Sequence, residues 1–149
     1  MAINLSDYEH GVALDGDYEV QLRALQDRLE RIQVAHIVHK RPAIIAIEGW
    51  DAAGKGGIIK ALSGQLDPRW FEVYPIAAPT PDEKGRHFLY RFWDKLPAPG
   101  NWSVFDRTWY GRVLVERVEG FCAEREWKRA YDEINEFEAQ QADAGNTIV

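Results

Sequence analysis

Residues 43–57 read AIIAIEGWDAAGKGG. The run Ala43–Ile47 is apolar without alternation, the pattern of a short strand covered on both faces. It stops at Glu48 and Gly49, and Gly54-Lys55 then follow at the spacing of the phosphate-binding loop G-x-x-x-x-G-K-[ST]. Behind the loop, GGIIKAL reads as the start of a helix. In a strand–loop–helix unit the glycines let backbone amides converge on one concavity, and the helix terminus adds its positive end. Gly49, Ala52, Ala53, Gly54, Lys55, Gly56 and Gly57 are therefore candidate phosphate-binding residues, with Lys55 as the mobile charge. A structural glycine turn is the competing reading. One residue departs from the pattern: Gly56 stands where a Ser or Thr hydroxyl normally helps to hold Mg²⁺.

Mg²⁺ takes oxygen ligands and keeps several waters. Without a hydroxyl at position 56, the nearest candidate anchor is Asp51, inside the loop. Asp51 could also cap the following helix, and the two roles are compatible. A second carboxylate is expected at the end of a neighbouring strand, and WSVFD (102–106) ends in Asp106. DRTWYGR then supplies Arg107 and Arg112, whose planar forks suit the charge on a transferring phosphoryl group. Either could equally be an ordinary surface arginine. No Ser-His-Asp or Cys-His set is visible. A phosphate acceptor is already anionic, so transfer onto it needs positioning and charge neutralisation rather than a general base. His36 and His39 lie one turn apart without a third ligand, Cys122 is expected on a helix face, and Trp109, Tyr110 and Trp127 are expected in the core.

Around this unit the chain divides into an arm over residues 1–16 and a core over 17–149. Tyr18, Leu22, Leu25, Leu29 and Ile32 predict a helix from Asp17 to about His39 with one buried stripe, capped by Asp15 or Asp17. The loop's helix should run from Gly56 to about Leu66. WFEVYPI is strand-like, PTPDEKG should cap a helix through RHFLYRFWDKL, and WSVFD is another buried strand. Helices are expected over about Trp109–Phe121 and along a face made by Trp127, Tyr131, Ile134 and Phe137, the latter ended by Gly145. TIV at 147–149 begins a further strand. Strands alternating with helices imply α/β architecture, a parallel sheet with helices on both faces.

With 149 residues, 46% of them hydrophobic and 28% charged, the chain has the composition of one globular domain. No apolar run is long enough to span a membrane, and MAINLSDYEHG lacks a secretory pattern. A single cysteine fits a reducing compartment, so the cytoplasm is expected. The net charge of −6 argues against nucleic-acid binding. Yet Lys84, Arg86, His87, Arg91 and Lys95 cluster in one stretch and Arg107, Arg112 and Arg117 in another. Charge alone leaves two readings open, a groove for a small or linear polyanion and a solvated mixed surface.

EGWDAAGKGG, PTPDEKGRHFLYRFW, LPAPGNWSVFDRTWYGRVLVERVEGF and EWKRAYDEINEFE together resemble the polyphosphate kinase 2 family, in order from about residue 18 to the last. The resemblance implies a P-loop kinase-like three-layer fold. It also implies phosphoryl transfer between inorganic polyphosphate and a nucleotide, AMP, ADP or ATP or the guanine counterparts GDP and GTP. Glycine in place of Ser or Thr is that family's form of the loop, with the loop aspartate as metal anchor. By motif, Asp51, Lys55 and Asp106 match its catalytic phosphate and Mg²⁺ residues, Arg107 and Arg112 its phosphate-contacting arginines, and Arg91 joins the phosphate-binding set. A homo-oligomer is expected, with no nucleic-acid or membrane partner. Family members continue past NTIV into a helical lid, so the chain reads as C-terminally incomplete and as a poor catalyst alone. A phosphate- or nucleotide-binding module without turnover, and a degraded paralogue kept for assembly, stay open beside the enzyme.

Overall fold

The computed structural model describes Gly11 and residues 15–149, and apart from Gly11, Asp15 and Gly16 the expected arm lies outside the described residues. The apolar runs form four strands: β1 (Ala43–Ile47), β2 (Phe71–Pro75), β3 (Trp102–Asp106) and β4 (Thr147–Ile148). They lie in the order β2-β3-β1-β4, and every pairing is parallel. The registers set Ile47, Asp106 and Pro75 side by side, so three strands end on one common edge.

Successive strand residues face opposite sides of the sheet. Ile44 and Phe105 point to one side, where Leu89, Phe92, Trp109, Ile134 and Phe137 complete the main core. Ala43 and Trp102 point to the other side and pack with Leu66, Leu29 and Leu62. The second cluster brings α1 (Tyr18–Val38) and α2 (Lys55–Ser63) to one face, and the first brings α6 (Glu124–Asp143) to the other. The helix–sheet–helix layering expected from the alternation of elements is present.

Helix α1 starts where expected, with Asp17 Oδ1 accepting from the amides of Glu19 and Val20 at 2.9 and 3.1 Å. Its buried stripe differs. Tyr18, Leu25 and Ile32 are exposed, whereas Leu22 and Leu29 are half-buried and Gln33 is the buried residue. Gln33 is there because its amide clamps the chain beyond α2, accepting from Asp67 N at 2.8 Å and donating to Asp67 O at 3.3 Å. A buried amide with both ends satisfied costs little. Helix α2 stops at Ser63, where Gly64 caps it, short of the expected Leu66.

Two expected helices are broken. The segment after Thr80 forms α3 (Pro81–Lys84) and, separately, α4 (Tyr90–Trp93). Thr80 and Glu83 make a full capping box, but Gly85 takes the C-cap and ends α3 after one turn. The segment expected as one helix over 109–121 is a 3-10 turn (Trp109–Arg112) followed by α5 (Val115–Val118). Leu114, at φ −105° and ψ −100°, is off the helical region and separates them. Cys122 consequently lies in the connection to α6, its thiol 3.7 Å from Arg112 O, and not on a helix face. On α6 the buried stripe is Ala130, Ile134, Phe137 and Gln141, while Tyr131 is exposed. Gly145 ends that helix as expected, at φ +90°. Among the described residues no helix is long and apolar enough to cross a membrane.

Candidate active site

The end of β1 feeds a loop that turns into α2 through two left-handed residues, Ala52 (φ +58°) and Gly54 (φ +92°). Glycine suits position 54, since a side chain there would strain the backbone. Lys55 heads α2, and its ammonium folds back over the loop to donate to Gly49 O at 2.8 Å and Trp50 O at 2.7 Å. The amides of Lys55 and Gly56 open the helix, where no carbonyl of the preceding turn is available to them. A Cβ added at Gly56 or Gly57 would meet nothing within 4 Å, so packing does not demand glycine at either. Asp51 is 97% exposed at the loop's outer side.

On the common sheet edge, β3 ends at the half-buried Asp106, beside Ile47. Arg107 follows in a left-handed conformation at φ +67°, which costs a non-glycine residue about 1–2 kcal/mol. Its amide donates to Ile47 O at 3.0 Å, and its Nη2 lies 3.7 Å from Asp51 Oδ1. The next residue, Thr108, is buried, and both its amide and its hydroxyl donate to Glu48 Oε2 at 2.9 Å. Thr108 Oγ1 in turn accepts from Tyr110 N at 3.2 Å and so caps the 3-10 turn that carries Arg112. Under that turn, Glu138 Oε1 accepts from Trp109 Nε1 at 2.8 Å and from the Tyr110 hydroxyl at 2.6 Å. Burial, and secondarily the bond to Glu138, pushes the Tyr110 phenol up to about 12.

Behind Arg107 a cleft of about 850 Å³ runs between the β2–α4 segment and the 3-10 turn, α5 and the start of α6. Lys84, Arg86, Arg91, Arg107, Arg112 and Arg129 line it, against the carboxylates Glu83, Glu116 and Glu126. Parts of the two cationic stretches of the sequence thus meet in one place, while Lys95 and Arg117 are outside the lining. The glycine loop, Asp51 and Asp106 are outside this lining, and Arg107 is the residue that touches both regions.

The arginines differ in how far they are committed. Arg91 donates Nη2 to Ala77 O at 2.9 Å and holds Nε 3.5 Å from Glu83. Arg112 sits over the Phe88 ring with Nε 3.2 Å from Glu116. In both, the buried Nε is at ion-pair distance without hydrogen-bond geometry, so these Nε–carboxylate contacts act by charge more than by direction. Arg86 pairs with Asp82 on the exposed side. The sequence does not single out Glu48, Thr108 or Arg129: a carboxylate, a hydroxyl and a surface-type arginine carry no motif of their own. Among the described residues no group of three or more His, Cys, Asp or Glu side chains converges as a metal cage.

The Thr80 amide bond to Glu83, at 2.8 Å, and secondarily the charge of Arg91 hold the Glu83 carboxyl below its ordinary 4.5. A carboxyl depressed by folding stabilises the fold fully above its unfolded value, and that contribution is lost as pH falls through the folded value. The melting temperature should therefore fall on acidification below about pH 4.5, and Glu83→Gln should flatten that decline. Parallel acid profiles for the two proteins would remove Glu83 from the account.

The family model described as polyphosphate kinase 2 matches residues 13–149. The chain belongs to the polyphosphate kinase 2 family. Within it, the chain is 51% identical over 133 residues to a polyphosphate:AMP phosphotransferase of Pseudomonas syringae pv. tomato, covering 89% of this chain and 27% of that protein. It is 40% identical to ADP-polyphosphate phosphotransferase 2 of Rhizobium meliloti, covering 89% of this chain and 44% of the relative. The crystal structure of polyphosphate kinase 2 from Arthrobacter aurescens TC1 superposes with a TM-score of 0.87 at 31% identity, over 98% of this chain and 53% of that one. The chain thus spans less than half the length of the two curated relatives from Pseudomonas syringae and Rhizobium meliloti.

Proposed function

We propose that this chain carries the phosphate-handling half of a phosphotransferase that moves phosphoryl groups between inorganic polyphosphate and a nucleoside mono- or diphosphate. The observation that carries the reading is the cationic cleft joined through Arg107 to the glycine loop. A linear polyanion along the cleft would bring one of its phosphates to the loop. There the Lys55 and Gly56 amides, the start of α2 and the Lys55 ammonium supply complementary charge. Arg107, and the turn bearing Arg112, would neutralise the transferring group from the opposite side. Relatives named for AMP and for ADP support a nucleotide as the other partner.

Mg²⁺ fits the residues present. Asp51 and Asp106 offer hard oxygen donors at the loop and the sheet edge, and this cation ordinarily takes one or two carboxylates together with phosphate oxygens and water. The open space at Gly56 leaves room for a bound phosphate group. When bound, Mg²⁺ supplies charge neutralisation to the phosphate oxygens. A cytoplasmic setting and self-association belong to the same reading.

The test is binding of polyphosphate across a salt series, together with polyphosphate-dependent phosphorylation of AMP and ADP. Each neutralised phosphate of a densely charged chain releases a counterion, so log Kd should rise steeply and linearly with log salt. An affinity indifferent to salt would dismiss the cleft as a polyanion groove.

A further inference from the structure

Glu48 is a carboxylate beside a cationic cleft, yet among the described residues it is hydrogen-bonded only to neutral donors. Its Oε2 accepts from the Thr108 amide and hydroxyl, both at 2.9 Å, and its Oε1 accepts weakly from Gly49 N at 3.4 Å. It does not line the cleft. Its partners are the residue after Arg107 and, through the Thr108 hydroxyl, the turn that carries Arg112. Arg107 is the strained residue of this edge, at φ +67°. Two bonds from the end of β1 hold it there: Ile47 O takes the Arg107 amide at 3.0 Å, and Glu48 takes the next amide. The strain persists because the surroundings over-determine it.

We propose that Glu48 is a positioning residue, locking Arg107 and the Arg112 turn to the strand that carries the glycine loop so that both arginines face the bound phosphate chain. The proposal rests on the reading of the cleft as a polyphosphate site. It differs in sign from simple electrostatics. Deleting a carboxylate on the edge that carries Arg107 should tighten polyanion binding through charge alone. Deleting a latch should weaken it.

The experiment measures the affinity of inorganic polyphosphate for the native chain and for Glu48→Ala, Glu48→Gln and Arg107→Ala over a salt series, with circular dichroism of each. Glu48→Ala should bind about tenfold more weakly, with a salt slope lower by about one ion, as for one lost phosphate contact. Glu48→Gln keeps an oxygen for Thr108 and should recover most of that affinity, a rescue that charge alone does not produce. Equal or tighter binding by a natively folded Glu48→Ala overturns the positioning role. If Glu48→Ala does not fold, Thr108→Val, which deletes the hydroxyl link to the Arg112 turn, carries the same test. The Arg107→Ala variant separates the two levels: native-like affinity there overturns the cleft reading itself. Weakened binding there with unchanged binding in Glu48→Ala overturns the role of Glu48 alone.

Discussion

In a form extended to the length of its relatives, Asp106→Asn and Asp51→Asn are each expected to lower the proposed polyphosphate-dependent nucleotide phosphorylation by about a hundredfold or more. That factor corresponds to about 2.7 kcal/mol of lost transition-state stabilisation, at about 1.36 kcal/mol per decade. The two substitutions are nearly isosteric, so they remove charge without opening space. Asp51 is almost wholly exposed and Asp106 is half-buried at the strand end, so neither substitution should unfold the chain. In Asp51→Asn, Arg107 also loses its carboxylate neighbour at 3.7 Å, an exposed pair that contributes little to stability. The decline should therefore appear in turnover and in the Mg²⁺ concentration needed for half-maximal rate, with the melting temperature unchanged. Near-normal rates in both variants would take the two carboxylates out of the chemistry.

The largest expected effect on stability belongs to Trp109. It is 1% exposed, with Phe137, Phe92 and Phe105 at ring-centroid distances of 5.0, 5.5 and 5.8 Å, and its indole N–H is satisfied by Glu138. Trp109→Ala removes the side chain that joins the sheet, α4 and α6, at a cost of about 3–5 kcal/mol. Against a total stability of about 5–15 kcal/mol, that loss threatens folding outright. The urea midpoint should collapse, while Trp109→Phe, which keeps a ring, should lose much less. A Trp109→Ala midpoint close to the native one would mean that the core closes without this residue. Because Trp109 also opens the turn bearing Arg112, the same substitution should weaken phosphate binding before the chain unfolds.

The elements read correctly from sequence are those whose signal is local. β1, β2 and β3 show as apolar runs, α6 as a periodic face, and Asp17 and Gly145 as caps. The glycine turn before α2 and the place of Asp106 at the end of β3 show as well, because each is written in consecutive residues. What failed to show depends on distant partners. Tyr18, Leu25 and Ile32 fit a helical stripe, yet the stripe that is covered centres on Gln33, because its amide finds both backbone groups of Asp67. The breaks at Gly85 and Leu114 interrupt otherwise helix-compatible residues. Glu48 was invisible for the same reason: its role depends on Thr108, sixty residues away.

The hold of Lys55 on its own loop bears on the thermodynamics of recognition. A lysine side chain immobilised on folding gives up about 1.5–2 kcal/mol of rotamer freedom. Here that loss falls in the folding reaction, since two of the ammonium's three N–H groups are already engaged by Gly49 and Trp50. A phosphate arriving at the helix start meets a cation whose long stem is already ordered, and it exchanges neutral carbonyl acceptors for a charged one. Association should then show a small entropic penalty at this residue and a heat signature dominated by ion desolvation.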